Sequence, residues 1–205
     1  MKLQIEAMRR KNTMWKNLLR HFGVLLLAGT AGCALMGTPE KAQVTEYDLG
    51  TVKAPPASAK LGVEFGAFRN LSGAGTPMLL RDRDGSIVQD DRRRFLLLPE
   101  HLVRRRLVEL FPAPASEEDV RVNGTLNRFE IDRGDRAARF VIDYEASWKG
   151  KHRIFHHSVQ TPLDGDTGLD AARALEKCVI TSAGRLAGEL ALFRKEVDAG
   201  KGKKK

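Results

Sequence analysis

Three groups of side chains have types and spacings that could do chemistry. His152, His156 and His157 fall close together. In an extended strand, 152 and 156 share one face and 157 points to the other. Two imidazoles on one face do not complete a tetrahedral zinc site, and no cysteine or acid lies beside them to add ligands. They read as solvated or edge-strand histidines. The run Asp164-Gly165-Asp166-Thr167-Gly168-Leu169-Asp170 alternates acids as calcium loops do. Such loops need glycine at the sixth position, which here is Leu169. A turn, a helix cap and an acidic first turn favoured by the helix dipole account for it better. Arg92-Arg93-Arg94 and Arg104-Arg105-Arg106 invite a phosphate reading. Aromatic residues make up 6% of the chain and are not interleaved with these arginines, so no base-stacking platform is present. Asp82, Asp84, Asp90 and Asp91 flank the first run, and both runs read as solvated faces. Contact with anionic lipid or an acidic partner is the lesser option. No nucleophile elbow, phosphate loop or nucleotide fingerprint occurs. The reading is therefore a non-enzyme with no catalytic residue, no metal, no cofactor and no nucleic-acid partner.

The remaining reactive group is the thiol of Cys33. Lys2, Arg9, Arg10, Lys11, Lys16 and Arg20 make a basic opening, Phe22 to Ala28 an apolar run, and Gly29-Thr30-Ala31-Gly32 a small-residue exit. These are the three parts of an export signal. The apolar run is about half the roughly 20 residues a bilayer span needs. Ala31-Gly32-Cys33 resembles the end of a bacterial lipobox, in which the thiol receives a diacylglycerol and the chain is cut just before it. Thr30 stands where leucine is usual. An ordinary secretory signal is the alternative, and Met8 and Met14 are alternative starts. The expectation is a signal peptide over 1–32, an acylated N-terminus and flexible tether over 33–60, with Thr45–Leu49 as a short extended segment that sets Tyr47 and Leu49 on one side, one domain over 61–198 and a basic disordered tail over 199–205.

The net charge of +9 follows this division. Residues 1–32 carry +5, and Lys201, Lys203, Lys204 and Lys205 account for the remaining +4, so the body between is near neutral. The basic balance reads as translocation control and a solvated tail. With Cys33 acylated, Cys178 has no partner for a disulfide, and the fold must rest on its own core.

The elements that position these groups are legible from periodicity. Leu61, Val63 and Phe65 alternate as a half-buried strand does. Asp84-Gly85 predicts a hairpin between 77–82 and 86–91. Pro99 opens a helix with Val103, Leu107, Leu110 and Phe111 on one face, and Pro112 and Pro114 stop it. A meander follows over 119–132, 136–148 and 152–160, with a bulge near Asn127 reconciling two parities of alternation. Thr167 and Asp170 cap a long helix whose apolar stripe runs from Leu169 to Val197. Gly184 and Gly188 would let that helix approach the sheet closely. The order β-β-β-α-β-β-β-α implies an α+β fold, an antiparallel or mixed sheet with two helices packed on one face.

With these elements placed, the chain resembles the PqiC-like family of ABC-type transport auxiliary lipoproteins over roughly 44–198. The carriers are Tyr47-Asp48-Leu49, Leu61-Gly62-Val63, Met78-Leu79-Leu80-Arg81 through Ile87, Asp91-Arg92-Arg93-Arg94-Phe95 and the helix from Pro99 to Phe111. Family members commonly carry tryptophan where this chain has Phe95. The resemblance implies lipidation at Cys33 and a non-catalytic part of an intermembrane lipid transport system. The membrane and a mammalian-cell-entry-type periplasmic protein would be its partners, with self-association a further option. Ala34, in place of aspartate after the cysteine, favours the outer membrane, with the domain facing the periplasm. Two other readings stay open. One is a structural or assembly lipoprotein serving polymer synthesis or lipopolysaccharide export. The other is a secreted hydrolase, which clustered Asp, His and Ser side chains in one pocket would support.

Overall fold

A computed structural model describes residues 43–50, 62–114 and 119–201. Among these residues seven strands and two helices follow in the order β1 (Thr45–Tyr47), β2 (Val63–Asn70), β3 (Pro77–Arg81), β4 (Ile87–Phe95), α1 (Pro99–Leu110), β5 (Val120–Asp132), β6 (Ala137–Trp148), β7 (Lys151–Pro162) and α2 (Gly168–Lys201). The strands form one mixed sheet ordered β1-β4-β3-β5-β6-β7, and β2 also pairs with β5. The hairpin pairs β3/β4, β5/β6 and β6/β7 are antiparallel, whereas β1/β4, β2/β5 and β3/β5 are parallel. Both helices pack on one face, giving the α+β layering that the element order implies.

The long central strand β5 explains this topology. Its thirteen residues exceed the length of β2 or β3, so its first half pairs with β2 and its last residues with β3. The pairing with β6 slips between Leu126 and Arg128, where the parity of the apolar positions changes. Asn127 sits in the slip, and its side-chain amide donates to Asp143 Oδ2 at 2.7 Å. The β6–β7 turn places Lys149 at φ 48° and Gly150 at φ 73°, the pair of positive angles that a two-residue hairpin turn requires.

Buried faces follow the alternation. Val120, Val122 and Leu126 of β5 and Phe140, Ile142, Tyr144 and Ala146 of β6 are fully enclosed. Against them α1 sets Leu102, Val103 and Leu107, and α2 sets Leu175, Val179, Ala183, Leu186, Leu190 and Phe193. The rings of Phe95, Phe129 and Phe140 form a continuous stack, with centroids 5.2 and 6.4 Å apart. Pro99 occupies the first turn of α1, and an extended Phe111 ends it before Pro112. The opposite face of the sheet is polar. There Arg81 grips the buried Glu130 with two bonds of 2.8 and 3.0 Å, and Arg139 pairs with the buried Asp132 at 3.0 Å.

Four expectations are corrected. The tether over 33–60 is interrupted, because Thr45–Tyr47 adds a parallel strand to the edge of β4 and the compact unit begins at Gln43. Leu49 is buried, Asp48 pairs with Arg105, and the Leu96 N–H donates to the Tyr47 carbonyl at 2.8 Å. Burial of Leu49 and pairing of an otherwise open sheet edge stabilise this segment, so the domain does not start at 61. At the other end α2 continues to Lys201, past the limit of 198. Gly184 and Gly188 face solvent with open space around them, so they do not set the approach of helix to sheet. Gly168 has that role instead: a methyl group there would collide with the Tyr47 phenol, so its absence lets β1 seat against the start of α2. Lastly, Leu169 is 38% exposed, so the buried stripe starts at Ala171 and Ala172. The signal over 1–32, Cys33, the rest of the tether and residues 202–205 lie outside the described residues.

Candidate functional site

The histidines divide as strand geometry requires. His152 and His156 lie on the exposed face of β7, and His157 points into the core between Phe155 and Val159. His156 Nδ1 lies 2.6 Å from Asp143 Oδ1. Burial alone would raise the Asp143 carboxyl, but hydrogen bonds from His156 and Asn127 outweigh it and hold this acid below the usual carboxylate range.

All three histidines lie on β7, which ends the sheet order, and His157 alone of them is not solvated, because α2 covers it. Its Nδ1 is 2.8 Å from Ser182 Oγ, and its Nε2 is 2.7 Å from Glu189 Oε2. Ser182 Oγ is also 3.0 Å from the Tyr144 hydroxyl. One arrangement of protons satisfies all four groups with a neutral imidazole. Tyr144 donates to Ser182, Ser182 donates to His157 Nδ1, and His157 Nε2–H donates to the Glu189 carboxylate. Burial pushes the Tyr144 phenol well above its ordinary range, so it stays a donor.

Serine, histidine and carboxylate in sequence make the contact pattern of a hydrolase triad. The surroundings do not. Ser182 and Tyr144 are both 0% exposed, and Ser182 sits in the middle of α2 against the sheet. A nucleophile must reach a scissile carbonyl, and among the described residues this hydroxyl meets Tyr144 and His157 in the core. The chain is a way to bury three polar groups between helix and sheet at low cost. Ser182→Ala removes the acceptor of Tyr144 and the donor to His157, and should cost about 1–3 kcal/mol in urea unfolding. Unchanged stability would show that the network contributes nothing to the fold.

The acidic run is spent on structure. The Thr167 hydroxyl accepts from the Asp170 N–H at 3.1 Å and donates to Asp170 Oδ2 at 2.6 Å, a reciprocal cap on α2. These bonds hold the Asp170 carboxyl below its usual range. Asp164 pairs with Lys177 at 2.7 Å and Asp166 with Arg136 at 3.0 Å. Among the described residues no group of three or more His, Cys, Asp or Glu is placed to hold a metal. Cys178 is buried, and burial pushes its thiol up to about 11, so it is a core residue and a poor nucleophile.

The arginine runs are not uniformly solvated. Arg106 is buried at the contact between the helices, 3.1 Å from Glu176, which is itself fully enclosed. Arg104 donates to the carbonyls of Phe65 and Gly66, and Arg105 ties Asp48 to α1. Arg93 and Arg94 are half-buried where β4 pairs with β1, and Arg92 is exposed. Sequence reasoning missed Ser182, Glu189, Glu176 and the role of Arg106. A signal was present for two of the acids and hydroxyls: Glu176 and Ser182 interrupt the apolar stripe of α2 at helical spacing, next to Ala172, Leu175, Val179 and Leu186. Polar residues on a buried stripe must find partners.

No family model matches the sequence, and no curated protein matches it. Solved structures do share the fold. Protein XCC0632 from Xanthomonas campestris, of the DUF330 family, superposes with a TM-score of 0.59 at 13% identity, covering 76% of this chain and 99% of that one. The crystal structure of an uncharacterized protein gives a TM-score of 0.60 at 12% identity, covering 72% of this chain and 99% of the other. At such identities the likeness shows the fold alone.

Proposed function

We propose that this chain is an exported lipoprotein, acylated at Cys33 and held at the outer membrane facing the periplasm. Its domain serves as a non-catalytic docking part of an ABC-type lipid transport system that contains a mammalian-cell-entry-type protein. The observation that carries the reading is the order of residues 1–33, basic, then apolar, then small, ending on the thiol of Cys33. Acyl chains on that thiol hold the domain at the bilayer, each buried CH₂ contributing about 0.8 kcal/mol. No helix among the described residues is long and apolar enough to cross a membrane. The buried position of Ser182 favours the non-catalytic reading over a hydrolase.

The test is mass spectrometry of the mature N-terminus from membranes, comparing wild type with Cys33→Ser. A diacylated cysteine is expected in the wild type, and its loss together with release from membranes in the variant. An unmodified N-terminus elsewhere in the wild type overturns the anchor. Mild detergent extracts of the wild type should also yield a mammalian-cell-entry-type protein on pull-down, and repeated failure counts against the docking role.

A further inference from the structure

At one end of the sheet three turns converge on the start of α2 and enclose a cavity of about 340 Å³. Arg83 comes from the β3–β4 turn, Arg93 from β4, and Arg133 and Arg136 from the β5–β6 turn, while Asp166 and Thr167 come from the link between β7 and α2. Leu80, Ile131, Leu163 and Ala171 complete the lining. Four arginines and one aspartate thus line one concavity, at the positive end of a 34-residue helix.

The internal partners do not use up this charge. Asp166 pairs with Arg136 at 3.0 Å, and its carbonyl accepts from Arg93 at 3.3 Å. Outside the lining, Asp82 takes Arg133 at 3.1 Å and Asp90 takes Arg93 at 3.4 Å. Arg83 has no hydrogen bond or ion pair among the described residues. Converging like charges in a concave, partly apolar wall raise the local potential and draw in an anion. The choice of anion follows from geometry. A carboxylate offers two oxygens and one charge, enough for one or two arginine forks. A phosphate offers more oxygens and up to two charges, which suits several forks at once. The four apolar residues leave a surface that inorganic phosphate has no use for and that the carbon part of an ester would cover.

We infer that this cavity is a binding site for a phosphate ester bearing an apolar substituent, the chemistry of a phospholipid headgroup with its glycerol and first acyl carbons. The site does not depend on the anchor at Cys33 and can be tested without it. The full chain carrying Cys33→Ser is titrated calorimetrically with dihexanoylphosphatidic acid below its micellar concentration, and separately with inorganic phosphate. The ester should bind saturably at one site and about tenfold more tightly than phosphate. Arg83→Gln should weaken the ester by about tenfold, the loss of one charge-assisted bond, and since Arg83 supports nothing else it should melt as the parent does. Arg121→Gln, at the far end of β5, should leave binding unchanged. Asp166→Asn frees Arg136 and removes the competing carboxylate, so it should tighten binding, a gain that partial unfolding cannot mimic. Absence of saturable binding, equal affinity for phosphate, or indifference to both Arg83→Gln and Asp166→Asn would overturn the assignment. Binding of phosphate alone would identify an adventitious anion site.

Discussion

Arg106→Met should destabilise the domain by about 3–5 kcal/mol, the cost of breaking a buried ion pair from one side. Arg106 and Glu176 join α1 to α2 at 3.1 Å, and the two partners are not equivalent. Arg106 has a second acid, Glu109, at 2.8 Å, and that acid is half exposed. Glu176 is fully enclosed. Removing the arginine takes a cation from a carboxylate held in the core, whereas removing the glutamate leaves the arginine still paired with Glu109. Arg106→Met should therefore cost more than Glu176→Leu. The double variant Arg106→Met with Glu176→Leu replaces both charges by apolar groups of similar size and should recover most of the loss. Urea unfolding of the three variants forms a cycle, and a double variant no better than Arg106→Met would mean that the arginine acts through packing alone.

Phe129→Ala should cost a similar amount, about 3–5 kcal/mol, by a different route. Phe129 is 1% exposed at the centre of the sheet, with its ring 5.2 Å from Phe95 and 6.4 Å from Phe140. Truncation removes both ring contacts and opens a cavity bounded by three strands of one sheet, which cannot collapse without breaking their ladders. For a domain of this size the expected fall in melting temperature is on the order of 10 °C. Phe129→Leu should lose less than half as much, because it keeps most of the volume. Equal losses would point to a specific need for the aromatic ring rather than to filling of space.

Much of the fold was legible because its elements bury one face each. The β6 alternation Phe140, Ile142, Tyr144, Ala146 and Trp148 is buried throughout, as a period of two on a covered sheet demands. Likewise the capping pair Thr167 and Asp170, the turn at Asp84-Gly85 and the slip at Asn127 are local devices, each written in a few consecutive residues. β1 was legible as a short extended segment within Thr45–Leu49, but not its place in the sheet, because Thr45–Tyr47 pairs with an edge of β4 that sequence neighbours do not reveal. The parallel pairings β2/β5 and β3/β5 were also out of reach, since they join segments separated by a helix or more.

The candidate sites follow the same division. Residue order alone carries the basic, apolar and small-residue run that ends at Cys33, and it determined the layered α+β class, the near-neutral body and the separation of His157 from His152 and His156. Those properties depend on sequence neighbours and on periods of two or 3.6 residues. Only the tertiary structure decided that His157 meets Ser182 and Glu189 in the core, that Arg106 is paired with Glu176, and that arginines from separate turns face one cavity. Each of these brings together residues tens of positions apart. Their charges and hydroxyls look alike in the sequence, and the packing of α2 across the sheet determines which are hidden, which are paired and which are left facing the cavity.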